Sequence, residues 1–287
     1  MRGLEKKMSV QLEMPSPKAV LHYGAGGVDS LYARVWGDSI HFGLYLCEVD
    51  DVEGAVYETK RRMASLAAID GGTDVLEVAG GWGASARYLA RATGARVTST
   101  NLEEGQLETA RRLTEIAGLT RLVRHSPADF HALPFEDESF DVWWCQEATV
   151  HAHDKPRVFA EAYRVLRPGG RIVFTDQTTE HDKCTDADLE RLRQRHGPDD
   201  LPSADAFNEN LIGAGFSEID VHDWSRHMGR HFANLVARIE RAYPVLTADI
   251  DPGIVNFNLA LWRFGRELAA TGGIGWHCFV AQKKPSM

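Results

Sequence analysis

Two hydrophobic rhythms alternate along the chain. Short runs rich in β-branched, aromatic or other apolar residues occur at 75–78 (VLEV), 96–100 (RVTST), 122–125 (LVRH), 141–145 (DVWWC) and 171–176 (RIVFTD), and these read as strands. The densest, 141–145, predicts a strand buried on both faces. Between them lie longer segments with apolar residues at helical spacing: 52–69, 85–93 and 104–117, the last closed by Gly118 as a C-cap. In the first of these Val52, Val56, Met63, Leu66 and Ala67 approximate one face, and Lys60, Arg61 and Arg62 form a solvated one. Farther on the pattern predicts a polar helix with loops over 181–203, a helix over 204–213, a strand over 217–224, amphipathic helices over 231–250 and 255–273, and a terminal strand over 275–284. That last strand, alternating and partly polar, is expected as an antiparallel edge. Strand and helix in regular succession predict an α/β, doubly wound, mostly parallel sheet.

The stretch 75–84, VLEVAGGWGA, is the candidate site around which the rest is arranged. A strand ending in small residues lets a ligand lie against bare backbone, and the helix that follows offers unpaired N–H groups. Ala79, Gly81 and Gly83 supply that surface. Glu77 sets the ligand's identity: its carboxylate repels a pyrophosphate and attracts a cationic, amino-bearing group, which favours S-adenosylmethionine over a nicotinamide dinucleotide. About twenty residues on, the second strand ends in Asn101, able to bond ribose hydroxyls, and Leu102 and Gln106 follow on the cofactor side. Beyond the fourth strand come Gln146, Glu147 and His151, at the carboxyl end of the sheet where ligands bind in open α/β folds. Taken alone, the turn is equally an ordinary α/β turn, Asp129 a loop aspartate capping a turn, and His151 a surface histidine.

Composition narrows the partners. A chain of 287 residues buries a full core as one domain with a smaller cap, and a net charge of −9 without a Lys/Arg-rich run disfavours nucleic acid. Cys47, Cys145, Cys184 and Cys278 are scattered without paired spacing, so no metal site or disulfide framework is expected, and free thiols suit a reducing, cytoplasmic setting. No stretch is long and apolar enough to span a membrane, and none resembles a signal segment. The division expected is a tail at 1–18, a lid and helix at 19–72, a cofactor-binding core at 73–180, and cap helices with the final strands at 181–287. The lid segment 20–45 is dense in aromatic residues and histidines, with glycines that let it bend over a site.

The turn, Asp129, LPFEDESFDVWWCQ and RVLRPGGRIVFTD, in this order and spacing, resemble the motifs of class I S-adenosylmethionine-dependent methyltransferases, which implies a Rossmann-like sheet with a lid and helical cap. VWGDSIHFGLY and WCQEATVHAHDK are similar to WGGEDIHIGLY and WSQDAFLHSPDK of the glycine/sarcosine and sarcosine/dimethylglycine N-methyltransferases that make glycine betaine. The likeness continues through DWSRHM and GWHCFVAQKK. It implies that Asp129 bonds the adenine amino group and Phe130 meets the ring, that Tyr32 and Trp36 close over the cofactor, and that Tyr23 and His151 form a catalytic pair. His41 and Tyr45 are expected on the acceptor side, and Arg226 as a grip for an acceptor carboxylate, since guanidinium makes paired bonds to carboxylates. Ala79 stands where the family has glycine, tolerable if its φ is negative. Two alternatives stay open. One is a C- or O-methyltransferase of a larger apolar metabolite, with Trp36, Phe42, Trp224 and Trp262 forming a wide pocket; the other is a cofactor-binding protein without turnover.

Overall fold

A computed structural model describes residues 27–46, 51–197 and 201–285. Helix α1 (Val28–Val35) precedes α2 (Val52–Leu66), which starts where the Asp51 carboxylate accepts the Gly54 N–H. The sheet is then built by β1 (Asp74–Glu77), α3 (Ala84–Thr93), β2 (Arg96–Asn101), α4 (Glu104–Ile116), β3 (Val123–Pro127), β4 (Phe140–Gln146), α5 (Lys155–Val165) and β5 (Leu166–Thr179). Helices α6 (Asp186–His196) and α7 (Ala204–Ala214), strand β6 (Ser217–Asp223), the long pair α8 (Met228–Asp249) and α9 (Pro252–Thr271), and β7 (Ile274–Gln282) complete it.

Strand order is β3-β2-β1-β4-β5-β7-β6. Strands β1 to β5 pair in parallel, and β7 runs antiparallel to both of its neighbours. The antiparallel strand expected at the edge is therefore one place in, because β6 pairs along its outer side and carries the mixed exposure of a true edge. From β1 the chain works outward to β3 and then returns to β4. This reversal leaves a crevice over the carboxyl ends of β1 and β4, the place where an open sheet binds ligands.

Strand periodicity sorts the core into two layers. Val75, Trp144, Val173 and Cys278 point to the face covered by α2, α3, α8 and α9, whereas Leu76, Trp143, Phe174 and Phe279 point to the face covered by α5 and α7. On the first face the N-terminal segment is clamped to the cap. Trp36 meets Trp262 at 5.9 Å between ring centroids, Phe42 meets Phe232 at 5.4 Å, and the Tyr32 hydroxyl donates to Asn258. Trp224 packs on Trp276 at 5.1 Å. All four aromatic residues of the wide apolar pocket considered above, Trp36, Phe42, Trp224 and Trp262, are thus buried in packing, and the expectation that they line an acceptor site is corrected: they hold the cap to the sheet.

Candidate active site

Past β1 the chain makes its tight turn into α3. Glu77 is buried, and its carboxylate folds back beneath Gly80, where a Cβ would stand 2.5 Å from Glu77 Oε2 and 2.2 Å from Ser99 Oγ. Only glycine fits there. The Gly80 N–H donates to the Thr100 carbonyl at 2.8 Å, fixing the turn against β2. Gly83 has φ +73°, and a Cβ on it would meet the His125 ring at 2.5 Å. Glu77 and Gly83 thereby lie under the floor of the site, while Ala79 and Gly81 form its surface. Burial raises the Glu77 carboxyl, opposed by a hydrogen bond from Ser99.

Ala79 does not have the negative φ that would make it harmless. Its φ is +52°, in the left-handed region. That conformation costs a non-glycine residue about 1–2 kcal/mol, more than the roughly 0.4–1 kcal/mol that a glycine loses through its freer unfolded chain. Ala79→Gly is therefore expected to stabilise the protein by up to about 1 kcal/mol, read as a higher urea midpoint with unchanged slope. A lower midpoint would show that the alanine methyl contributes more by packing than it costs in strain.

A cavity of about 740 Å³ opens above the crevice. Ala79, Gly81, Asn101, Leu102, Gln106, Asp129, Phe130, Gln146, His41 and His151 all line it, so ten of the expected site residues converge on one space. Asn101 is held on both sides, its Oδ1 accepting the Leu102 N–H and its Nδ2 donating to Gln106 Oε1 at 2.6 Å. Asp129 Oδ1 accepts both the backbone N–H and the ring of His131, which shapes the loop after β3. Gln146 Oε1 accepts from Ser85 Oγ and Trp144 Nε1, and this turns its amide nitrogen outward without a partner among the described residues. Glu77 Oε2 is an orphan acceptor. Glu77 lies beneath Gly80 and not on the cavity wall, so the expectation that it meets the cofactor directly is corrected; the orphan amide of Gln146 and the bare turn at Ala79 and Gly81 are what the wall offers, and they fit the carboxylate of the methionine end of S-adenosylmethionine.

Other expected residues stand elsewhere. Tyr32 and Trp36 belong to the cap cluster and do not line the cavity. Tyr45 and Arg226 line a second, shallower cleft of about 430 Å³ with Leu46, His227 and Arg230. Tyr23 lies outside the described residues. The cavity also contains groups that the pattern did not single out: Ser39, Trp82, and a pair of histidines, His131 and His153, whose rings lie 4.0 Å apart. Their only signal in the chain is position after a strand end or inside the lid.

Glu147 and His151 supply the polar chemistry. Glu147 has φ +48°, a strained backbone that aims its side chain into the site. Its Oε1 accepts from Thr175 Oγ1 at 2.7 Å and Trp276 Nε1 at 2.9 Å, and its Oε2 pairs with His41 Nδ1 at 2.9 Å. Asp38, Glu103, Glu104 and Asp129 also face the cavity, and no Lys or Arg does among the described residues, so the field inside attracts cations. His151 sits on a 3₁₀ turn, Thr149–His151, with Nδ1 3.1 Å from the His196 carbonyl. A carbonyl only accepts, so Nδ1 carries the hydrogen and the neutral ring keeps its lone pair on Nε2. Surrounding protein lowers this histidine to about 4, the His196 carbonyl acting in the opposite direction. The ring is exposed on its cavity side.

A family model described as a methyltransferase domain matches residues 76–174, the segment that builds the turn and the crevice. The chain is 34% identical over 220 residues to the glycine/sarcosine/dimethylglycine N-methyltransferase of Actinopolyspora halophila, covering 76% of this chain and 39% of that longer one. It is 32% identical over 222 residues to the sarcosine/dimethylglycine N-methyltransferase of Halorhodospira halochloris, covering 77% and 79%. A solved structure from Galdieria sulphuraria, named as a candidate sarcosine dimethylglycine methyltransferase, superposes with a TM-score of 0.83 over 90% of this chain and 97% of its own, at 24% identity.

Proposed function

Because this chain belongs to the S-adenosylmethionine-dependent methyltransferases, we propose that it methylates the nitrogen of a small amine, with sarcosine and dimethylglycine as acceptors and glycine betaine as the final product. The names of the relatives over most of the chain support this choice of acceptor. The observation that carries it is the anchored carboxylate of Glu147 in a cavity without lysine or arginine among the described lining residues. Such a site draws in an ammonium group and favours positive charge at the acceptor.

When bound, the cofactor supplies a methyl group already activated by its sulfonium, and the residues of this chain do the rest. Glu147 orients the acceptor nitrogen by charge and hydrogen bonding. The Nε2 lone pair of His151 accepts a hydrogen bond from the N–H of the incoming ammonium, and release of that proton to solvent exposes the nitrogen lone pair for in-line attack. Asp38 to His41 form the wall of the cavity on the N-terminal side and limit the access of water there. Arg226, in the second cleft, stands apart from this work. A cytoplasmic location belongs to the same reading, supported by free thiols at Cys145, Cys184 and Cys278 and by the lack, among the described residues, of a helix long and apolar enough to cross a membrane.

A panel of acceptors with methyl-labelled cofactor tests the proposal: glycine, sarcosine, dimethylglycine, phosphoethanolamine and a tocopherol precursor. Label is expected in the products of sarcosine and dimethylglycine. Transfer confined to the tocopherol precursor would replace the small-amine reading with an apolar one.

A further inference from the structure

The carboxylate of Asp176 is completely buried on β5, immediately past Thr175, the last residue of β5 that pairs with β4. Among the described residues no lysine or arginine pairs with it. Burying an unpaired carboxylate is costly, so the contacts it makes are informative. Oδ2 accepts from Thr149 Oγ1 at 2.6 Å and from the Val150 N–H at 2.8 Å; Oδ1 accepts from the Gln177 N–H at 2.8 Å. Two of these three donors are backbone N–H groups, which cannot reverse their sense. An asparagine here would set its NH₂ against a backbone N–H whichever way it was turned, and a protonated carboxyl keeps all three contacts only by turning the Thr149 hydroxyl round to accept. The carboxylate takes all three with the hydroxyl donating.

Thr149 and Val150 belong to the short turn that carries His151. Within the turn the His151 N–H donates to the Ala148 carbonyl at 3.1 Å and the Ala152 N–H to the Thr149 carbonyl at 3.0 Å, both local bonds that leave its seat on the sheet to Asp176. We propose that Asp176 is a positioning residue for methyl transfer, its charge fixing the turn and with it the aim and tautomer of His151. The inference rests on the role of His151 given above. With the turn fixed, Nδ1 stays on the His196 carbonyl and Nε2 stays free for the acceptor. Loss of the anchor lets the turn drift and the ring exchange its hydrogen between nitrogens. Burial pushes the Asp176 carboxyl up to about 7, the hydrogen bond from Thr149 pulling the other way and the nearby Glu147 charge adding to the rise. The anchor is accordingly an expensive one, held by geometry rather than by a counter-ion.

The test uses the full chain with Asp176→Asn, His151→Ala and the double variant, together with ¹⁵N NMR of the histidine rings. The wild-type His151 ring is expected as the Nδ1–H tautomer, and Asp176→Asn as a mixture. Asp176→Asn is also expected to lower kcat for dimethylglycine by about 10–100-fold, with less than about a twofold further loss in the double variant relative to His151→Ala, because residues acting through one another do not add. If Asp176→Asn fails to fold, Thr149→Val removes one donor and keeps the charge. It is expected to lower kcat about fivefold, and Thr149→Ser, which restores the hydroxyl, recovers most of that loss. Additive losses, or an unchanged tautomer with wild-type kcat, overturn the proposal while leaving the role of His151 intact. A wild-type rate in His151→Ala removes that role itself, and the Asp176 proposal with it.

Discussion

His151→Ala is expected to lower kcat by about 10²–10³-fold, within the range for loss of a positioned proton acceptor, while cofactor affinity measured by calorimetry changes little. The reason is the separation of tasks in the cavity: the orphan amide that complements the cofactor is on Gln146, whereas His151 offers a single lone pair. The pH dependence distinguishes the roles. A free amine of this type holds its proton to about pH 10 by analogy with lysine, and the His151 ring is lowered to about 4 by the protein around it. Full proton transfer from the acceptor to the ring is therefore uphill at the start. The ring thus aligns the N–H while the proton leaves to solvent on the Nε2 side, and it does not store it.

The sign follows directly. His151 is neutral and competent above pH 4, so the rise of kcat/KM with pH between 6 and 9 tracks neutral acceptor, and the mutant recovers part of its loss there. On stability the same histidine, ionising near 6.5 when unfolded, contributes above that pH and loses the contribution as pH falls toward 4. Weaker cofactor binding with an unaltered pH profile would reassign His151 to the cofactor.

Glu147→Gln carries the second large effect. As the methyl moves, positive charge leaves the sulfur and appears on the acceptor nitrogen, so a fixed carboxylate beside that nitrogen stabilises the transition state more than the ground state. Loss of one such preorganised group costs about 10²–10³ in kcat. The glutamine retains an oxygen for Thr175 and Trp276, which keeps the fold and separates charge from shape. A thermal midpoint close to wild type with kcat reduced by two orders of magnitude is the expected pair of results. A wild-type kcat in a folded variant would show that the acceptor is held by another group.

The sheet was legible because period-two runs and helical segments are local signals: Trp143 and Trp144 fall on opposite faces as their alternation requires. The turn, Asn101, Asp129 and His151 were legible for a related reason, since a strand end fixes where the next few residues stand. Orientation was not. Tyr32 and Trp36 have the polar tips and spacing of a lid, yet their partners are Asn258 and Trp262, more than two hundred residues away, and nothing local announces which neighbour an aromatic ring will choose. Arg226 failed to reach the cavity for the same reason; it shares a cleft with Tyr45. The left-handed φ of Ala79 was equally hidden, because an alanine in sequence reveals no torsion angle.

The indole of Trp276 reaches Glu147 across 129 positions of sequence, and this has a consequence for the growing chain on the ribosome. Strands β1 to β4 and their helices, which cradle the cofactor, emerge early and as a continuous block. The strand that steadies Glu147 arrives only with β7. The residues of the cofactor side are thus all synthesised before the indole that fixes the carboxylate facing the acceptor, and that carboxylate is set in place only when the last strand joins the sheet.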